Sequence, residues 1–147
     1  MSLKATKIQG LLGCILIGMQ LVASAQAFAS DYLLIANRGV TASVLSRQEA
    51  QAIFTGEKSR WDDGKPIHIV VLNGGDAARG FLQNVVGKTP SQFDMYWKKL
   101  IFTGKAGAPK SFEDPASVVK YVSRTAGAVG FVGEADAVGQ VKTISVK

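Results

Sequence analysis

Six residues, Ile67 to Leu72 (IHIVVL), make a nearly continuous apolar run of strand length, and the glycine turn Asn73-Gly74-Gly75-Asp76 follows at once. An apolar run without alternation suits a strand buried on both faces, as in a sheet covered by helices on each side. The rest of the chain has the matching pieces. Asp31 to Ala36 is a second short apolar run, ending at the turn residues Asn37-Arg38-Gly39; Ala128 to Val132 and Val141 to Val146 are two more. Between them lie helix signals. Ser46 and Glu49 form a capping box before Ala50, Ile53 and Phe54, and Gly56 supplies the stop. Phe81, Leu82, Val85 and Val86 give a helix after the glycine turn its apolar face, ended by Gly87. Thr89-Pro90-Ser91-Gln92 is another capping box with proline at the first helical position; Phe93, Tyr96, Trp97, Leu100 and Ile101 follow at helical spacing. Asp114-Pro115 opens a further helix through Val118, Val119 and Val122. Alternating strands and helices predict an α/β, αβα sandwich around a mainly parallel or mixed sheet. The loosest stretch, Gly104 to Lys110, reads as a loop.

The first 29 residues read differently. Lys4 and Lys7 precede the apolar stretch Leu11 to Ala25, and small residues then fit a cleavage rule at Ala27-Phe28-Ala29 or Ala23-Ser24-Ala25. That pattern predicts a secretory signal peptide over residues 1–29 and one folded domain over residues 30–147, with a periplasmic destination. The apolar run is short for a membrane span. Leu11-Leu12-Gly13-Cys14 resembles a lipoprotein box, but most of the apolar region follows the cysteine instead of preceding it. Cleavage removes the only cysteine, which suits an oxidising compartment. It also removes two lysines, so the formal charge of +6 falls to +4, with no basic run longer than Lys98-Lys99. Scattered charge of that size excludes a nucleic-acid stripe and still favours small anions.

At 147 residues, 47% hydrophobic and 19% charged, the chain is globular. One histidine and one cysteine exclude a Cys/His zinc site. His68 falls inside a strand with no nucleophile at a suggestive spacing, so it reads as a structural or surface residue. Asp62-Asp63-Gly64 reads as a turn, since the spaced carboxylates of a calcium loop are absent. Trp97 falls on a helical stripe and is expected in the core; Trp61, in a loop, is expected to be a contact residue. No catalytic residues, metal ligands or cofactor site emerge, and the chain reads as a non-enzyme. The remaining candidate is Gly74, Gly75, Asp76 and Arg79. A turn at the carboxyl end of a strand presents free N–H groups and a helix dipole to an anion, and Arg79 can add a bidentate grip. Asp76 competes, because a carboxylate can cap the same N–H groups.

The order of motifs resembles a known group. Ala52-Ile53-Phe54-Thr55-Gly56, then Trp61, then Gly64-Lys65-Pro66-Ile67 is similar to a stretch of the periplasmic phosphate-binding proteins of ABC importers. The similarity continues through Gly74–Arg79 and Phe81, through Tyr96-Trp97 and Ile101-Phe102-Thr103-Gly104, and ends with Thr125-Ala126-Gly127-Ala128-Val129-Gly130-Phe131-Val132. The resemblance implies a type 2 periplasmic-binding-protein-like fold in a short, single-lobe form. It further implies binding of a small inorganic anion or small acid, with a membrane transporter or sensor component as partner. Full-length members hold phosphate between two lobes with serine and threonine hydroxyls, an arginine, an aspartate and backbone amides. Here the matching loop keeps Arg79 and lacks the hydroxyl pair; Thr41 and Ser43, after the first strand, are the hydroxyls expected from a neighbouring loop. A lone lobe leaves a bound ion open to water, which screens its contacts, so an oligomer would be needed for tight binding. The competing reading is an interaction or sensory accessory domain that kept the lobe and lost the ligand.

Overall fold

The computed structural model describes residues 32–136 and 139–147. The expected leader segment, its expected cleavage sites and Cys14 lie outside the described residues.

The described residues form one six-stranded sheet. Its strands are β1 (Tyr32–Ala36), β2 (Val44–Leu45), β3 (His68–Leu72), β4 (Lys110–Phe112), β5 (Ala128–Gly133) and β6 (Lys142–Val146), in the spatial order β2-β6-β1-β5-β3-β4. The pairs β2–β6, β3–β4 and β3–β5 are parallel, while β1 runs antiparallel to both its neighbours, with Leu34 opposite Phe131 and Ile144. Five strands therefore share one direction and β1 opposes them. The expected αβα layering holds, in its mixed-sheet form. Two strands escape the sequence reading because they are short and half-exposed. β2 is two residues long, and β4 begins at the end of the stretch expected to be a loop.

Four helices cover the sheet: α1 (Arg47–Phe54), α2 (Gly75–Phe81), α3 (Pro90–Phe102) and α4 (Pro115–Arg124). Their starts follow the sequence signals. Ser46 and Glu49 exchange both bonds of a capping box, Thr89 and Gln92 do the same, and the Asp114 carboxylate accepts the Ser117 N–H at 2.8 Å. α2 continues into a π-helical turn, Leu82–Val86, which stops at Gly87 in the left-handed region.

On one face, Phe131 of β5 meets Phe81 of α2 and Phe54 of α1, with ring centroids 4.2 and 5.8 Å apart. All three rings are fully buried, and stacked or tilted aromatic pairs add to the area they bury. On the other face, Gly130 of β5 lies against Val118 of α4. Successive residues of a strand point to opposite faces, so Gly130 and Phe131 serve the two layers. Asn37 ties β1 to α4, donating from Nδ2 to the carbonyls of Val122 and Ser123 at 2.9 and 3.1 Å. Near the end of α1, Trp61 and Trp97 are buried rather than displayed. Trp61 Nε1 donates to the Gly127 carbonyl at 2.9 Å, and Trp97 Nε1 donates to the Phe54 carbonyl at 3.1 Å. Trp97 thus takes the core position expected of it. Trp61 corrects the expectation of a contact residue: burial is tolerated because its one polar hydrogen has a partner.

Candidate functional site

β3, β4 and β5 are parallel neighbours, so the segments following them share one end of the sheet. The segment after β3 is the glycine turn. Asn73 donates its N–H to the Phe112 carbonyl of β4 at 2.8 Å, closing the strand. Gly74 and Gly75 then take φ of +80° and +83°, and a Cβ at either position would meet nothing within 4 Å. These glycines are required by backbone conformation, not by crowding. Gly74 is the residue before α2, and no side chain caps the helix start. The first amides of α2 consequently have no side-chain partner and face an exposed turn.

The expected competition from Asp76 takes another form. Its carboxylate does not cap the amides; Oδ1 accepts from the Arg79 guanidinium at 3.1 Å, one helical turn on. Both side chains are more than half exposed, at 85% and 61%. Such a pair contributes little to stability, and water or an anion can displace it. It leaves the guanidinium at the surface close to the turn, with spare donors.

Thr41 and Ser43 stand apart from this turn. They precede β2, at the opposite edge of the sheet, with β6, β1 and β5 between β2 and β3. Ser43 instead lies near Lys142, whose ammonium donates to its hydroxyl at 3.3 Å and to the Val40 carbonyl at 2.8 Å. The expectation that a neighbouring loop brings these hydroxyls to the glycine turn is therefore corrected by the strand order. The hydroxyl that does come near is Ser91. A cleft of about 270 Å³ beside Gly74 is lined by Leu72, Asn73, Ala78, Pro90, Ser91 and Asp94, among others. Ser91 belongs to the capping sequence of α3, and only the packing of α3 beside the turn puts it there.

The same end of the sheet is rich in carboxylates. Glu113 and Asp114 follow β4, and Glu134 and Asp136 follow β5. Gly133 packs between Asp136 and Ala77 of α2, which brings that carboxylate to the flank of the first helical turn. Asp114 is committed to its cap: the Ser117 bonds hold its pKa below the usual carboxylate value.

At the other end of β3, a cleft of about 500 Å³ is lined by residues including His68, Trp97, Lys110 and Tyr121. His68 is exposed there, as a surface histidine. Asp62-Asp63-Gly64 is a turn, with Gly64 at φ +84° and the Asp63 carboxylate accepting the Lys65 N–H. No group of three or more metal-ligating side chains occurs among the described residues.

The described residues form a layered α/β protein with an open glycine turn at the carboxyl end of β3. Solved structures share this fold. An ABC-type phosphate transport receptor from Vibrio cholerae superposes with a TM-score of 0.59 at 16% identity, over 79% of this chain and 46% of that one. A substrate-binding protein from Clostridium perfringens, assigned to phosphate ABC transport and solved with bound phosphate, gives 0.62 at 17%, over 79% and 44%. PstS from Borrelia burgdorferi gives 0.53 at 12%, over 80% and 47%. The chain thus has the fold of phosphate ABC receptors while spanning less than half the length of these structures. No protein-family model and no curated protein sequence matches it.

Proposed function

We propose that this chain is an exported, non-catalytic solute-binding-like protein, with a leader over residues 1–29 and a folded part over residues 30–147. Its ligand is a small phosphate-like anion held at Gly74, Gly75 and Arg79. The observation that carries the reading is an uncapped helix start with two open glycines, in the fold of proteins named as phosphate receptors. Amides at a helix start and an adjacent guanidinium are the donors a tetrahedral oxyanion needs. Ser91 can add a hydroxyl from α3. Asp76 acts as a displaceable partner that holds Arg79 near the turn until the anion arrives.

The site is open to water, and contacts in high dielectric are weak. Affinity in the millimolar to high-micromolar range is expected for one chain, rising if a second chain covers the turn. Titration calorimetry with phosphate, sulfate and small carboxylates tests this. Heat with phosphate that disappears in Arg79→Ala and Gly75→Ala supports the site; no heat, or unchanged heat in both variants, removes it.

The carboxylates at the same end favour one second reading, an accessory domain that engages a membrane sensor or transporter component and binds no ion. That reading gains if calorimetry is silent and a cross-linked membrane partner is recovered through the edge carrying Glu113 and Glu134. It fails if cross-linking at that edge yields no partner.

A further inference from the structure

The outward face of α3 has no role in either reading. Phe93 and Trp97 are the buried residues of this helix. On the opposite side Met95, Lys98, Lys99 and Phe102 fall at i, i+3, i+4 and i+7, a single stripe along the helix. Met95 is 70% exposed and Phe102 is 92% exposed, and Ile101 on the flank is 43% exposed. Scattered exposed apolar residues need no explanation. A phenylalanine displayed almost completely at a helix end, one turn from two lysines, is a more particular arrangement. Lys105 follows in the turn after α3, and none of Lys98, Lys99 and Lys105 forms an ion pair among the described residues. The one acid on the helix, Asp94, stands one turn before Lys98 and lines a cleft with it, without an ion pair between them.

We propose that this face docks on the surface of an anionic lipid bilayer, with Phe102 and Met95 entering the headgroup–acyl boundary and Lys98, Lys99 and Lys105 contacting lipid phosphates. Charge selects this occupant. Three unpaired ammonium groups around an exposed aromatic ring fit a surface that is apolar within and anionic above. A protein groove would have to desolvate those lysines and supply each with a carboxylate. The docking is peripheral: no described helix is long and apolar enough to cross a membrane. It comes close to the anion site at Lys98, which lines a cleft with Asn73, the residue before Gly74, while Phe102 lies at the far end of α3 from Ser91.

Phe102→Trp provides a local reporter, since Trp61 and Trp97 are buried and hydrogen-bonded and give a constant background. Emission from position 102 is followed while phosphatidylglycerol–phosphatidylcholine vesicles are added. A blue shift with these vesicles, absent with phosphatidylcholine alone and abolished by high salt, is expected. Adding Lys99→Gln and Lys105→Gln to the reporter chain should weaken the apparent partitioning about 25-fold, near five-fold per lysine. Phosphate heats should stay unchanged in both variants, which separates failure here from failure of the anion site. The proposal is overturned by an unshifted emission with anionic vesicles or by an equal shift with zwitterionic ones. It is also overturned if the shift follows protein concentration without lipid, which would make a second copy the occupant. Circular dichroism of each variant confirms that the fold is retained, and Phe102→Ser followed by vesicle sedimentation replaces any variant that fails this check.

Discussion

At Gly127 the backbone has φ +76°, and a Cβ there would meet the Pro66 carbonyl oxygen at 2.2 Å. At Gly74 and Gly75 φ is +80° and +83°, and a Cβ would meet nothing within 4 Å. The conformations are alike and the surroundings are opposite. Gly127 is buried, its carbonyl accepts from Trp61 Nε1 and from the His68 N–H, and its α-carbon backs against the Pro66 carbonyl. The Gly74–Gly75 pair is exposed, and the helix start beside it has no side-chain cap. One glycine exists so that two chain segments can touch. The other two shape a turn whose backbone remains accessible to something from outside. Positive φ alone therefore does not distinguish a glycine wedged between chain segments from one in an open turn; the free volume around the missing Cβ does, and Gly64 shares the open surroundings of Gly74 and Gly75.

Substitution at the two places should separate them. Gly127→Ala combines left-handed strain with a backbone clash and should cost about 3 kcal/mol or more, seen as a large drop in the urea midpoint; a loss under about 1 kcal/mol would break the contrast. Trp61→Phe removes the indole N–H and part of a buried ring system, leaving the Gly127 carbonyl with the His68 N–H alone, for a cost of about 1–3 kcal/mol in the same assay. Gly75→Ala meets only the conformational cost, about 1–2 kcal/mol, while the heat of phosphate binding should vanish. Arg79→Ala should change stability by less than about 0.5 kcal/mol and still remove the phosphate heat, which sharpens the assignment of the exposed turn to binding.

The smallest effect concerns pH. Glu49 is held below its ordinary value of 4.5 by the hydrogen bonds it accepts from Ser46, and Asp114 is held below 3.8 by those from Ser117. A carboxylate lowered in the folded state contributes stability that is present above its unfolded value and lost as pH falls toward the folded one. Melting temperature should therefore decline slightly from about pH 4.5 downward, and Ser46→Ala should flatten part of that decline. Neither change should alter the order of the glycine variants.

Helix starts were the most legible part of the chain, because a cap is a local contract between residues three apart. Ser46 with Glu49 and Thr89 with Gln92 form as their spacing predicts, and Asp114 caps the helix it opens by accepting from Ser117. Long apolar strands were nearly as clear, with β3 and β5 within a residue of their expected bounds. β4 was hidden because a three-residue half-exposed strand carries no periodicity, and only its pairing with Val70, Val71 and Leu72 makes it a strand. The turn at Gly74 could be picked out, but its neighbours could not. Thr41 and Ser43 looked near in sequence to a strand end and lie across the sheet, whereas Ser91 looked like part of a cap and lines the cleft.

Local patterning thus set the four longer strands, the capped helices, the layered α/β class and the position of an open glycine turn, since each depends on residues a few places apart. Strand order, the reversed direction of β1, the burial of Trp61 and the company kept by the turn were decided only by tertiary structure. Those features depend on which distant segments pack together, and the free energy that selects among packings is shared across the whole core.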